Sequence, residues 1–349
     1  MRKIFILIVL IAFNTIYPQS LFIPDNGGAA RVSSLGQNPY ITDPENMRNN
    51  PAWGSYYRNM VGINYGIQPN SGQHIGANIG CGDVFTIGAF YNRNSSGGIY
   101  PLTIDNLNVL HIDENKNYSN YEIFTSAAIT PAITLGGGFA LADIADYDVN
   151  KKKYGLNLGA IIKVQENIII DAAANMNLPY SFDYNTDKIE ISRSSYNLRV
   201  FYLQSPKLTL VSQINHNKFN EDYTTDEYKT NIYIDYTEIK AGLIYKNDLA
   251  LLSGGVGYSI VGTNNHLSAD YAVINIGAEL YISKFFIPRI GYDGKYFTKT
   301  NPFQQWSNID LGAGINIYKF QLDGFYSYDF KHKETSKYNG VYLSLSYKN

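Results

Sequence analysis

Cysteine is almost absent: the 349 residues contain one, Cys81. No disulfide can form within the chain, and Cys81 lies too far from the N-terminus to carry a lipid anchor. It reads as a small, inert strand residue. Methionine (4) and tryptophan (2) are also scarce. Excess charge of either sign is missing too, since 28 Lys and Arg against 30 Asp and Glu leave a net charge of −2. Without a basic face there is no electrostatic case for a nucleic-acid partner. Long apolar runs are lacking as well. Ile4 to Phe13 is an unbroken one, but a helix needs about 20 apolar residues to cross a bilayer. No metal-ligand spacing occurs among His74, His111, His216, His266 and His332, and no nucleophile–base set stands out. No cofactor, metal or enzymatic activity is expected.

What the chain has in quantity is tyrosine (31), glycine (30) and phenylalanine (17). These suit strands and tight turns better than helices. The N-terminus reads as a secretory signal, with Arg2 and Lys3 ahead of the apolar run and cleavage near Gln19 or Ser20. Residues 1–19 are therefore expected to be removed on export.

From about residue 60 the sequence alternates with period two. In Asn308 to Tyr318, Ile309, Leu311, Ala313, Ile315 and Ile317 share one face, while Asn308, Asp310, Gly312, Gly314 and Asn316 share the other. Successive side chains of a strand point to opposite faces, so the strand has one greasy and one wet side. The stretches Tyr154 to Ile162, Ala272 to Ile282 and Val341 to Tyr347 repeat the pattern. Tight turns are expected near Gly82-Asp83, Pro131-Ala132, Gln165-Glu166, Ser205-Pro206, Lys246-Asn247, Ser283-Lys284 and Tyr318-Lys319. Longer polar connections fall between them, the longest around Asn94 to Ser119, Asn177 to Glu190 and Asn215 to Thr230. Strict alternation of short and long connections is the habit of an outer-membrane β-barrel, with tight turns at one rim and loops at the other. Counting hairpins gives about 16 strands of about 9 to 15 residues, enough to cross a bilayer at a tilt. The barrel must close because hydrocarbon offers no partner to an open strand edge. The chain would close through its last strand, Gly340 to Lys348. Tyr91, Tyr202, Tyr245, Phe285, Phe286, Tyr296, Phe297 and Tyr318 near strand ends would form aromatic girdles.

The alternation also places charges. Arg199, Glu238, Lys240, Glu279, Arg289, Asp293, Lys295 and Asp310 fall on polar faces. A lipid-facing Arg or Lys at mid-depth costs roughly 2–4 kcal/mol, so these residues should point into the lumen and pair with one another. They would either fill the barrel with ion pairs or line a path for a solute. Two acidic clusters, Asp143, Asp146 and Asp148, and Glu221, Asp222, Asp226 and Glu227, read as solvated loop charge.

The segment ahead of the first strand carries Gly28-Ala29-Ala30-Arg31-Val32-Ser33-Ser34-Leu35-Gly36, then Asp43-Pro44-Glu45-Asn46, then Asn50-Pro51-Ala52-Trp53-Gly54. This resembles the opening of the FadL-like barrels and the related PorV/PorQ proteins of type IX secretion. Leu35-Gly36 stands for their Met-Gly, Asp43 for their acidic segment, and Asn50, Pro51 and Ala52 for their Asn-Pro-Ala. Gln37 replaces a second glycine, and Trp53 precedes Gly54. The resemblance covers about 30 residues and implies 14 strands, against a count of 16, so 14–16 is the expectation. It also implies that residues 20–58 tuck into or under the barrel as a plug or periplasmic lead-in, with the barrel itself at 59–349.

These readings together predict an all-β, closed antiparallel transmembrane β-barrel in the outer membrane of a Gram-negative bacterium. Its partners would be membrane lipid and either secretion components or a small hydrophobic solute. The alternatives are a structural or surface-interaction barrel working through its long outer loops, and a soluble periplasmic β-protein.

Overall fold

The structure, a computed structural model, describes residues 29–66, 73–93, 118–146, 149–184, 187–224, 229–263, 270–297, 306–329 and 340–348. The expected signal segment lies outside them. The strands are β1 (Met60–Gly66), β2 (Gln73–Cys81), β3 (Phe85–Arg93), β4 (Tyr118–Thr130), β5 (Ile133–Asp146), β6 (Val149–Gln165), β7 (Ile168–Tyr184) and β8 (Asp187–Ser205). They continue as β9 (Leu208–Thr224), β10 (Lys229–Lys246), β11 (Ala250–Thr263), β12 (Tyr271–Leu280), β13 (Phe286–Phe297), β14 (Trp306–Ile317), β15 (Phe320–Asp329) and β16 (Gly340–Lys348). Each pairs antiparallel with its sequence neighbours, and β1 pairs with β16 from Met60↔Lys348 to Gly66↔Tyr342. The result is a closed barrel of 16 strands. The hairpin count holds, and the family-derived 14 does not.

The burial pattern is turned inside out. Outward positions carry exposed apolar side chains, among them Ile79, Ile87, Ile123, Leu158, Val256, Ile276 and Leu311. Inward positions carry buried polar ones, among them Asn78, Asn157, Asp171, Asn275 and Asp323. An apolar belt on this scale has no place in water but suits hydrocarbon. Among the described residues no helix is long and apolar enough to cross a membrane.

All seven tight turns fall where the sequence put them, and they share one rim with the start of β1 and the end of β16. The opposite rim differs from the sequence reading. Residues 177–190 and 215–230 are not long loops: β7 and β8 run on to Tyr184 and Asp187, and β9 and β10 to Thr224 and Lys229. Their polar residues alternate with strand formers that pair across the ladder, as in Tyr180↔Ile191 and Phe182↔Ile189. Composition suggested loops, and cross-strand pairing overrode it. Strand length therefore ranges from 7 to 19 residues, beyond the 9–15 expected. The strict short–long alternation also fails, since only residues 147–148 separate β5 from β6. Asp143, Asp146, Glu221 and Asp222 belong to these strands rather than to loops, while Asp148, Asp226 and Glu227 lie outside the described residues. His216, expected near an outer loop, sits in β9, with its Nδ1 2.9 Å from Thr237 Oγ1. Cys81 ends β2 and is exposed.

Candidate functional site: the seat of an internal segment

Residues 29–59 lie inside the barrel, toward the tight-turn rim. They form a short helix α1 (Ala29–Ser34), a second turn of helix α2 (Asn46–Asn49) and a 3-10 turn, Pro51–Ser55. None of these would be stable alone, since helices shorter than about 12 residues are marginal in water. Tertiary contacts hold them, and Arg31, Leu35, Tyr40, Trp53 and Tyr57 are almost wholly buried.

Two polar anchors fix the segment. The first is Asp171 on the inner face of β7. Its carboxylate accepts Asn50 Nδ2 at 2.5 Å, Trp53 Nε1 at 3.0 Å and Arg199 Nε at 2.8 Å. Asn50 sets the local chain as well, because its Oδ1 accepts the Ala52 N–H at 2.9 Å and caps the 3-10 turn that Pro51 begins. Arg199 also donates to the Pro39 carbonyl at 3.1 Å and lies 5.8 Å from the Trp53 ring.

The second anchor is a buried charge network. Arg31 grips Glu279 with both arms of its fork, Nε to Oε2 at 2.9 Å and Nη2 to Oε1 at 3.3 Å, and its Nη1 lies 3.3 Å from Asp43 Oδ2. Arg289 donates to Glu279 and to Asp323, both at 2.6 Å. Two guanidinium groups thus face three carboxylates. Asp43 is the odd one. Burial, only partly offset by Arg31, pushes its carboxyl up to about 8. A neutral Asp43 leaves two charges of each sign in the network.

That has a pH consequence with a definite sign. A raised carboxyl is one the seated segment keeps protonated. Its contribution is complete below the ordinary carboxylate range and is lost as pH rises through about 8. Besides Arg31, the charged groups that bear on Asp43 are Glu45, in the same segment, and Asp323 of β15. Protease protection of residues 29–59 should fall as pH rises through that point. In Asp43→Asn the protection should stay flat across the same range.

The wall is cut away where the segment passes. A Cβ at Gly159 would sit 1.7 Å from Asn50 Oδ1, and at Gly136 2.3 Å from Ala52 N. At Gly277 it would sit 2.6 Å from Leu35 O, and at Gly291 2.1 Å from Gly36 N. These glycines all face inward. Glycine in a strand interior weakens the strand and marks a close backbone approach.

The residues singled out by sequence fall into two groups. Arg199, Glu279 and Arg289 join the anchors, as do Asp43 and Asn50; Pro51 and Ala52 are buried beside them. Glu238 and Lys240 pair with each other at 2.7 Å, higher on β10. Lys295 lies 5.8 Å from the Tyr271 ring. The carboxyl group of Asp310 meets that of Asp293 on the inner face, with Ser327 on its other side. The sequence reading missed Asp171, Arg31 and Asp323. Asp171 interrupts the apolar run from Ile168 to Ala174 and stands opposite Arg199 across β7 and β8. A lone carboxylate in such a run was a usable signal.

Beyond the segment, toward the opposite rim, the inner face turns apolar. Phe219, Ile234, Val261, Tyr271 and Val273 form a cluster there, with Tyr236 packed against it. Arg193 caps it, its guanidinium 4.8 Å from the Phe219 ring. Among the described residues no group of three or more His, Cys, Asp or Glu side chains is placed to hold a metal.

No family model matches the sequence, and no curated protein matches it. Solved structures do match in fold. CdiB from Acinetobacter baumannii is 9% identical over 83% of this chain and 59% of its own, with a TM-score of 0.52. The FrpB iron transporter from Neisseria meningitidis, in its F5-1 variant, is 12% identical over 77% of this chain and 53% of its own, with a TM-score of 0.50. The chain thus spans little more than half of either protein. The P. putida toluene transporter TodX is 12% identical over 93% of this chain and 99% of its own, with a TM-score of 0.46. At these identities the likeness is one of barrel fold.

Proposed function

We propose that this chain is an outer-membrane barrel that passes a small, largely apolar solute, with residues 29–59 acting as its plug. The inward-facing cluster of Phe219, Ile234, Val261, Tyr271 and Val273 supports this reading most directly. Inner faces of such barrels are ordinarily polar. Apolar side chains that face inward, on the far side of the plug, offer a solute its first dry contact. The fold-level likeness to transporter barrels accords with it. The tight-turn rim would face the periplasm and the long-strand rim the outside.

The test is uptake of a labelled monoaromatic hydrocarbon by cells with the gene, without it, and with Val273→Asp. Uptake should fall without the gene. It should drop about tenfold in the variant, the equivalent of about 1.4 kcal/mol of lost solute contact. Equal uptake in all three would end the proposal.

A second reading, a secretion-associated barrel of the PorV/PorQ kind or one that binds partners at its surface, draws on the long hairpins β7–β8 and β9–β10. A strand of about 9–11 residues suffices to cross a bilayer, and β8 has 19. The surplus stands above the membrane as a wall. Normal levels of secreted proteins in the deletion strain would count against the secretion role.

A further inference from the structure

The inward apolar cluster has one polar edge, and the hydrogen bonds there run in a single direction. Glu238, Ser259 and Tyr271 stand directly opposite one another on β10, β11 and β12. Tyr236 lies two residues along β10 from Glu238, on the same face. Ser259 Oγ donates to Glu238 Oε1 at 3.2 Å, and Tyr271 Oη donates to Tyr236 Oη at 3.0 Å. Tyr236 Oη and Ser259 Oγ are 3.4 Å apart. A hydroxyl has one proton to give. Ser259 spends its own on Glu238, so it accepts from Tyr236. Tyr236 spends its own on Ser259, so it accepts from Tyr271. Every proton of the chain points toward Glu238.

The far end fixes that direction. Glu238 is buried, and its Oε2 meets Lys240 Nζ at 2.7 Å and Asn215 Nδ2 at 3.2 Å. A carboxylate held by an ammonium and an amide accepts and does not donate. At the near end, Tyr271 has committed its proton to Tyr236 and can only accept from a guest.

The rest of the cluster is apolar and aromatic. The Tyr236 and Tyr271 rings stack with centroids 6.3 Å apart, beside Phe219, Ile234, Val261 and Val273. Ring faces of this kind suit a flat aromatic body in offset contact. A hydrocarbon matches that surface and leaves the hydroxyl chain unused. A guest with an O–H uses both. A guest whose oxygen carries no proton sets one acceptor against another. A site built to bond a hydroxyl discriminates against the analogue that lacks it.

We infer that this cluster selects small aromatic hydroxyl compounds, such as alkylphenols, over hydrocarbons and ethers of similar size. Tyr271 accepts the guest's hydrogen bond, and the chain through Tyr236 and Ser259 to Glu238 sets its polarity. The inference rests on the transport reading above and narrows the solute.

The experiment compares uptake of labelled p-cresol, its methyl ether and toluene in cells with the gene, without it, and with each of two variants. After subtraction of the uptake seen without the gene, p-cresol should exceed its methyl ether about fivefold. Tyr271→Phe removes the accepting oxygen and should lower the ratio of p-cresol to toluene about fivefold. Ser259→Ala cuts the chain and lets the tyrosine protons turn round, so the ether should gain on p-cresol. Both variants should keep the heat-modifiable gel migration of a folded barrel, and either alone suffices if the other does not fold. Equal wild-type uptake of p-cresol and its ether overturns the inference, as do ratios that neither folded variant changes. In both cases gene-dependent toluene uptake leaves the transport reading standing. If uptake of none of the three depends on the gene, both fail.

Discussion

Replacing Asp171 with alanine should free the plug while leaving the barrel closed. The carboxylate accepts bonds from Asn50, Trp53 and Arg199. Its loss strands Arg199 in a buried position, and breaking a buried pair on one side costs about 3–5 kcal/mol. It also leaves the buried indole N–H of Trp53 without this acceptor. None of these groups belongs to the backbone ladder, so strand pairing is untouched. The variant should keep the heat-modifiable migration of a folded barrel, expose residues 29–59 to protease, and conduct more ions in planar bilayers than the wild type. The removal of Arg199 in the same chain should recover part of the loss, because the uncompensated charge goes with it. Wild-type protease protection in Asp171→Ala would show that the anchor is dispensable.

Gly291→Val should displace the other end of the plug. The new Cβ would lie 2.1 Å from Gly36 N and 2.6 Å from Leu35 C, both backbone atoms that no rotamer change can move. Overpacking costs typically about 1–3 kcal/mol where the neighbours can give. Here relief requires the turn at Gly36 to leave its seat. Protease should then cut near Leu35 to Pro39, while the Asn50–Asp171 end stays docked. Gly254→Val is the matched control. Its nearest neighbours would be 3.6 and 3.9 Å away, so protection and thermal midpoint should match the wild type. A shift of equal size in both variants would mean that strand propensity, not the seat, is being measured.

Much of the barrel was legible because its signals are local. Period-two alternation, as in Asn308 to Tyr318, and turn pairs such as Ser205-Pro206 each act over a few residues. The reading failed where the decisive contact lies across a strand pair. Residues 177–190 look like a loop until Tyr180 meets Ile191 and Phe182 meets Ile189. Arg199 was visible as a lumen charge, but its partner Asp171 emerges only once β7 and β8 are in register. The glycines on the polar faces were visible too, as at Gly159 and Gly277. Their meaning, a wall thinned to admit a second chain segment, needs the segment to be in place.

The seam between β1 and β16 joins residues 60 and 348, the most distant pairing in the ladder, so its closure carries the largest loop entropy of any pair. The plug reaches both lips of that seam. The Ala30 N–H donates to Ser344 Oγ of β16 at 2.8 Å, and Glu45 accepts from Asn64 of β1 at 2.9 Å. Ser344 and Asn64 are themselves bonded across the seam. A segment that holds the first and last strands together shortens the search by which they meet. On the proposed reading the segment is a mandrel as well as a stopper, and a barrel made without it should assemble more slowly even where its finished wall is the same.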